Sequence, residues 1–195
     1  MSSAEDKDEN SAEAAFTCLV AAYQKRLTTF AVRLLERTDR DAAQDVVQET
    51  FVALWRQMRG GDTEAVYTPP ERMDVYLLRA VHNRCVDRLR RRAWFALPKE
   101  SEEPPDTSSG PEGAARATLL ANAVADAVTA LPVGQRSVFV LSHYEGLRYQ
   151  QIADLLDCPI GTVASRKSQA VQSLRVALKD WMDGSGDDIP GGSTK

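Results

Sequence analysis

Apolar side chains recur at helical spacing along most of this chain. Before residue 96 three segments show the pattern, at about 14–36, 42–58 and 71–93. The apolar positions of the first are Phe16, Leu19, Val20, Tyr23, Leu27, Phe30 and Leu34. A repeat of three or four residues is typical of an amphipathic helix, and no segment alternates with the period of a strand. The sequence therefore predicts an all-α fold.

The second half contains two helical segments joined by a short break. Tyr149–Leu156 turns Ile152, Leu155 and Leu156 inward, and Asp157–Gly161 interrupts the pattern. A longer helix is predicted from Thr162 to Leu178, with exposed polar residues Ser165, Arg166, Lys167, Ser168 and Gln169. This layout is typical of a DNA-binding helix-turn-helix. A plain helical hairpin with a solvated polar face explains the pattern equally well at this point.

Composition divides the chain into two small helical domains, predicted at 14–95 and 117–183. Residues 96–116 are rich in Pro, Ser, Gly and acid, which predicts a flexible acidic linker. Residues 1–13 are predicted to be a disordered acidic tail, and 184–195 a flexible tail. With such a linker, the two domains are expected to move independently in the free protein.

The average composition indicates an ordinary cytosolic protein. The 195 residues are 43% hydrophobic, without an apolar signal segment or a membrane span. Three widely separated cysteines lack the spacing of metal ligands. We therefore predict a cytoplasmic location and neither metal nor cofactor.

The net charge of -4 conceals a basic segment. From Arg79 to Arg92, six arginines accompany one acid, Asp87. On a helix, this segment is predicted to have a buried flank made of Val75, Leu78, His82, Cys85, Val86 and Leu89. The neighbouring flank is polar and consists of Arg79, Asn83, Asp87, Arg90 and Arg91. Tyr76, Trp94 and Phe95 add aromatic surface, although core packing explains at least one of them better. A cationic face with nearby aromatic rings suits a single nucleic-acid strand.

Several strings closely resemble the extracytoplasmic-function (ECF) sigma factors of the sigma-70 family. Region 4 of the family, which reads the promoter -35 element, is similar to four strings of this chain: Leu131-Pro132, Arg136–Leu141, Glu145–Leu147 and Gly161–Val163. Region 2.2 of the family is similar to Asp45–Phe51 with Leu54-Trp55. Regions 2.3 and 2.4, which in the family melt and read the -10 element, are similar to Tyr76–Asn83 with Asp87–Arg92.

The resemblance implies three sets of contact residues. Asp45, Gln48 and Glu49, with Phe51 and Trp55, would contact the polymerase, although the pattern alone favours a solvated face for the polar three. The -10 set is Tyr76, Arg79, Asn83, Asp87, Arg88, Arg90, Arg91 and Arg92. The -35 set is Arg148, Thr162, Ser165, Arg166, Lys167, Ser168 and Gln169, although Lys167 occupies a position where the family usually has an apolar residue.

The implied partners are core RNA polymerase, through its beta-prime coiled coil and beta flap, promoter DNA and an anti-sigma factor. The two promoter elements lie roughly 50–70 Å apart. The linker spans about 25 Å when relaxed and about 70 Å when extended. It would bridge the elements only when stretched along the polymerase.

Two other functions remain as alternatives. A self-standing helix-turn-helix regulator would explain the second half but leaves the strings that resemble regions 2.2 and 2.4 without a role. A nuclease would need clustered carboxylates or histidines, and the chain has two histidines, His82 and His143. A sigma factor without catalysis of its own accounts for both halves in order.

Overall fold

The computed structural model describes residues 2–35, 39–59, 70–95 and 112–182, and the regular elements in these ranges are all helices. They are α1 (Ser2–Leu34), α2 (Arg40–Arg59), α3 (Pro70–Phe95), α4 (Glu112–Thr129), α5 (Val133–His143), α6 (Tyr149–Leu156), α7 (Ile160–Ala177) and α8 (Lys179–Met182). The predicted all-α fold is confirmed. Most of the predicted linker, residues 96–111, and the tail at 184–195 lie outside the described residues.

Helices α1, α2 and α3 pack around one apolar core. Its largest fully buried side chains are Leu27, Phe30, Leu34, Leu35, Val46, Val47, Leu77, Leu78 and Val81. The stripes predicted from helical spacing supply most of this core, because an amphipathic helix hides its apolar face against its neighbours. Pro70 opens α3, at a helix position where the missing N–H of proline costs no hydrogen bond.

Two helix starts differ from the sequence prediction. Helix α1 begins at Ser2, so it covers residues for which a disordered tail is predicted. Helix α4 begins at Glu112, inside the predicted linker, where Ala114 and Ala115 are strong helix formers.

The second half is built around α5, α6 and α7. Val138, Val140, Leu141, Ile152, Val163 and Ala170 are buried between them. Helix α6 has the predicted bounds and ends at Asp157, whose φ of 49° is left-handed. Pro159 precedes α7, which begins at Ile160, two residues before the predicted start. The predicted helix-turn-helix is present as α6, a short turn and α7.

The two halves pack against each other in this structure, whereas the sequence predicts that they move independently in the free protein. Helix α1 contacts α4 and α5, and α3 contacts α6. Charged and polar side chains from both halves take part in this junction, and the apolar periodicity gives no sign of these contacts. Every helix in the described ranges is too short or too polar to cross a bilayer.

Candidate nucleic-acid and protein-binding surfaces

The predicted cationic stripe of α3 is exposed. Its exposed residues are Arg79, Asn83, Asp87, Arg90 and Arg91, which recur at steps of three or four residues apart from the adjacent Arg90 and Arg91. Arg91 Nε donates to the Asp87 carbonyl at 3.4 Å, and Arg90 lies 4.0 Å from the Asp87 carboxylate. One carboxylate thus accompanies three guanidiniums on this stripe. Such a surface can hold several phosphates while bases reach Asn83.

The remaining residues of the predicted -10 set flank the stripe. Arg92 is exposed and pairs with Asp39 at 2.7 Å, and Arg88 is half-buried, 3.8 Å from Asp45. Tyr76 is 37% exposed, and its hydroxyl donates to Gln57 Oε1 at 3.0 Å. Trp94 is also exposed, beyond the arginines. The eight predicted residues therefore lie along one helix, with aromatic rings near both of its ends.

The predicted polymerase face lies on α2. Asp45, Gln48 and Glu49 are exposed, and Trp55 is half-buried. Phe51 differs from these four because its side chain is 6% exposed and belongs to the core. Phe51 nevertheless lines the groove between α1 and α2 next to this face, so its contact with polymerase stays a prediction.

A groove next to this face was missed by the sequence analysis. It has a volume of about 510 Å³, lies between α1 and α2, and is lined by Phe16, Val20, Val52 and Trp55 among others. The ring centroids of Phe16 and Trp55 are 4.9 Å apart. The apolar pattern of α1 made Phe16 a core candidate, and only its packing on α2 brings it to the α2 face.

The exposed face of the helix-turn-helix carries four of the seven residues predicted to read DNA. Arg148, Ser165, Ser168 and Gln169 are exposed, and Gln169 Oε1 accepts from Gln135 Nε2 at 3.2 Å. Thr162 and Arg166 are half-buried.

Lys167 points inward and is the exception in this set. Its Nζ lies 2.5 Å from Ser142 Oγ and 4.8 Å from the centroid of the Phe139 ring. Burial lowers the pKa of the Lys167 ammonium from its ordinary value. Lys167 occupies a position that is usually apolar in the family, which agrees with these contacts, and its membership of the -35 set stays a prediction.

Arg79 links the stripe to the helix-turn-helix. Its guanidinium donates to two backbone carbonyls in the last turn of α6, from Nη2 to Asp154 at 2.5 Å and from Nε to Leu155 at 3.1 Å. Carbonyls at a helix C-terminus lack partners within the helix and carry partial negative charge. Arg79 is therefore occupied by protein in this arrangement.

A second link joins α1 to the turn after α5. Arg26 Nε lies 2.9 Å from Glu145 Oε2, while its Nη1 lies 2.7 Å from Asp74. Arg33 approaches the same Glu145 carboxylate at 4.0 Å and stacks over the Tyr144 ring at 4.0 Å from its centroid. The Glu145 side chain is 4% exposed. Sequence reasoning missed these residues because arginines on α1 look like an ordinary solvated face.

Further contacts complete the junction. His82 Nε2 lies 2.9 Å from Ser137 Oγ, and burial lowers the pKa of the imidazole from its ordinary value. Arg136, itself buried, donates to the Leu34 carbonyl at 2.6 Å. The predicted buried position of His82 is confirmed, although part of what covers it comes from the other half of the chain.

The fold and its surfaces define a two-part helical protein with a helix-turn-helix in the second part. The family model for Sigma-70 region 2 matches residues 19–95, and that for Sigma-70, region 4 matches residues 121–174. This chain belongs to the ECF RNA polymerase sigma factors of the sigma-70 family, as its motifs predict.

Relatives of similar length extend the likeness over most of the chain. It is 30% identical to the ECF RNA polymerase sigma-E factor of Haemophilus influenzae, over 86% of this chain and 89% of that protein. It is 32% identical to the RNA polymerase sigma-H factor of Pseudomonas aeruginosa, over 85% and 86%.

Two solved structures share the fold. The sigma factor RpoE of Bartonella quintana, in complex with the anti-sigma factor NepR, aligns with a TM-score of 0.59 at 22% identity, covering 84% of this chain and 96% of that one. CnrH, in complex with the cytosolic domain of CnrY, aligns with a TM-score of 0.57 at 28% identity, covering 86% and 89%.

Proposed function

We propose that this protein binds core RNA polymerase through α2, opens and reads a -10 element with α3, and reads a -35 element with α7. The observation that carries the proposal is the order of the two matched regions along one chain, each with a suitable exposed face. The protein acts as a specificity subunit in the cytoplasm and leaves catalysis to the polymerase.

The α2 face suits a helical protein partner. Asp45, Gln48 and Glu49 offer polar contacts beside the apolar groove that contains Phe16 and Trp55. A protein interface commonly combines an apolar centre with a polar rim. The beta-prime coiled coil of the polymerase is the partner that the family implies, and Phe16 extends the surface beyond the residues of the family motif.

The α3 stripe suits a separated DNA strand. Arg90 and Arg91 can neutralise phosphates, and Asn83 can hydrogen-bond to a base that has left the stack. Unstacking costs a few kcal/mol per base step, which captured bases and phosphate contacts offset. Promoter opening on this surface needs no covalent step.

The α7 face suits a major groove but has few cations. Ser165, Ser168 and Gln169 are exposed there, and Gln is able to pair with the edge of adenine. The inward position of Lys167 removes one more cation from the surface. We therefore expect weak phosphate binding by α7, with a correspondingly small dependence on salt.

An anti-sigma protein is the second protein partner. The support is the likeness to RpoE, solved in complex with the anti-sigma factor NepR. Its binding would compete with polymerase for the faces described above.

In vitro transcription with core polymerase on a library of promoter sequences tests the proposal. Adding the protein should create new start sites that share a -10 and -35 pair. Gln48→Ala should lower the affinity for core polymerase, and Asn83→Ala should reduce starts at equal core binding. Gln172→Ala, an exposed glutamine on α7, is the control for Gln48→Ala and should retain core affinity. An absence of new starts, combined with sequence-specific duplex binding by the protein alone, would instead indicate a self-standing regulator.

A further inference from the structure

A cleft between α3 and the first turn of α5, here called the α3–α5 cleft, combines an aliphatic wall with two cationic side chains. It has a volume of about 460 Å³, which is enough for a small organic ligand. Its aliphatic wall consists of Val86, Leu89, Ala93, Val133 and Leu156. The α3 side, from His82 to Ala93, is about 16 Å long. The side chains that line the cleft within the described ranges include no carboxylate.

The wall suits an aliphatic chain. Its members on α3 and α5 stay in contact with water, since Val86, Leu89 and Val133 are half-buried and Ala93 is exposed. Each methylene that a ligand buries here should tighten binding about fourfold. A nucleobase would fit less well, because bases usually stack on aromatic rings. In the described lining the sole ring is the His82 imidazole, which is 8% exposed.

Arg166 brings a positive charge into the cleft from α7. Its side chain is half-buried and lies against Gly134, where an added Cβ would be 3.4 Å from Arg166 Cζ and Nε. Within the described part of the chain, the Arg166 guanidinium makes no ion pair and no hydrogen bond. Partial burial of a charge is unfavourable without a partner, and a guanidinium forms its strongest hydrogen bonds with anions. Arg166 therefore favours an anionic ligand.

Arg90 supplies the second cation from α3. It lines the same cleft, and its Nη1 lies 4.0 Å from Asp87 Oδ1, which is beyond hydrogen-bond distance. The neutral polar groups of the lining, His82 and Ser137, contact each other at 2.9 Å. The two arginines thus remain as the charged donors. A carboxylate can accept hydrogen bonds from both, because each of its oxygens is an acceptor.

We propose that the α3–α5 cleft binds a small aliphatic carboxylate, with its carboxylate held by Arg90 and Arg166 and its chain against the aliphatic wall. Binding itself does not rest on the proposed function. Its consequence for transcription does, because Arg90 belongs to the predicted -10 set and Arg166 to the predicted -35 set. A bound carboxylate occupies one cation of each set, so the ligand lowers promoter binding.

Calorimetric titration of the full-length chain with saturated carboxylates tests the site without DNA or polymerase. Decanoate should bind at one site with a dissociation constant of about 0.1 mM or tighter. Octanoate should bind on the order of tenfold more weakly, because it buries two methylenes fewer. Butyrate, which has the charge without the chain, should give no measurable binding. Octan-1-ol, which has the chain of octanoate without the charge, should give none either.

Two substitutions locate the ligand. Arg166→Met removes the inward guanidinium and should weaken decanoate binding on the order of tenfold. Val133→Glu adds a carboxylate to the cleft and should abolish binding, and an acidic residue in the first turn of α5 suits the helix. Arg175→Met and Val176→Glu make the same changes at exposed positions on α7 and should bind like the wild type. If circular dichroism shows that Val133→Glu does not fold, Ala93→Glu, at an exposed position of the cleft, replaces it.

Transcription with core polymerase tests the consequence for promoters. Decanoate should reduce the new starts directed by the wild type and by Val176→Glu, in proportion to the occupancy measured by calorimetry. Starts directed by Val133→Glu should keep their own level without decanoate. If none of the three proteins directs new starts even without decanoate, the proposed function fails, whereas the calorimetry still decides on the ligand site.

Three results would overturn the proposal. The first is an absence of saturable decanoate binding. The second is binding of equal strength in the wild type, Arg166→Met and Val133→Glu, since the carboxylate would then lie elsewhere. The third is an affinity that does not change from butyrate to decanoate, which would indicate an anion held by charge alone. A reduction of starts that is equal in the wild type and Val133→Glu would overturn the effect on promoter binding.

Discussion

His82 on α3 and Ser137 on α5 meet across the junction, with 2.9 Å between the imidazole Nε2 and the hydroxyl oxygen. His82 Nδ1 lies 3.4 Å from Asn83 Oδ1. The charged side chains that line the adjoining cleft, within the described part of the chain, are Arg90 and Arg166. A proton on His82 would thus enter a buried position next to cations.

Acidification should therefore destabilise the folded protein through His82. Burial lowers the pKa of this imidazole in the folded state, so the folded protein favours the neutral form. The contribution of neutral His82 to the free energy of unfolding is fully present above the pKa of histidine in the unfolded chain, about 6.5. It is lost as the pH falls below that value, because the unfolded chain then binds a proton that the folded protein does not. The melting temperature should fall between pH 7.5 and 5 by less in His82→Gln than in the wild type. Equal slopes in His82→Gln and the wild type would contradict the prediction.

Arg136 should be among the most costly residues to remove. It is buried and donates to the carbonyls of Leu34, Leu131 and Thr129. Arg136→Met would leave these acceptors without a charged donor, at a cost of about 3 kcal/mol in the free energy of unfolding. Urea denaturation followed by circular dichroism measures this. Arg175→Met, on the exposed face of α7, should change the same quantity by less than about 0.5 kcal/mol. Similar costs for the two variants would count against the bridging role.

Replacement by alanine is expected to change the free energy of unfolding in opposite directions at two glycines. Gly146 has a φ of 69°, and an added Cβ would meet open space, so Gly146→Ala should cost about 1 kcal/mol through the backbone alone. Gly161 lies within α7, also with open space at its Cβ, and Gly161→Ala should stabilise by about 0.5–1 kcal/mol. Thermal denaturation of the two variants checks both signs. A stabilised Gly146→Ala would show that the left-handed turn is not kept in solution.

The three thiols should differ in reactivity. Burial raises the pKa of the Cys85 thiol to about 12, which keeps it protonated and shielded. Iodoacetamide should modify exposed Cys18 first and Cys85 only after unfolding. Peptide mass spectrometry over a time course at pH 8 measures the order, with protein in urea as the control for Cys85. Modification of Cys85 at the rate of Cys18 in the native protein would contradict its buried position.

The sequence predicted correctly those features that depend on residues within a single helix. Helix α6 has its predicted bounds because Ile152 and Leu155 fix its buried side and Asp157 ends it in a left-handed conformation. The exposed stripe of α3 followed from spacing alone, because its apolar residues occupy the neighbouring flank. Both features depend on residues only a few positions apart.

The junction between the halves could not be predicted in this way. Arg26 and Glu145 are 119 residues apart, and Arg79 reaches a carbonyl 76 residues away. A backbone carbonyl has no signature in the sequence, and an arginine on a helix surface has the same pattern whether water or a carboxylate faces it. Phe16 could not be predicted for a similar reason, since only the packing of α1 on α2 places it beside the proposed polymerase face.

The ion pairs between α2 and α3 have a consequence for the evolution of this factor. Asp45 and Glu49, proposed to meet polymerase, lie 3.8 Å from Arg88 and 4.0 Å from Arg84. The carboxylates that would attract the enzyme also restrain guanidiniums on the DNA-binding helix. A mutation that improves the fit to polymerase at Asp45 therefore alters the charge offered to the promoter as well. Under the proposed function, a substitution at Asp45 or Glu49 therefore changes the polymerase face and the charge of α3 together.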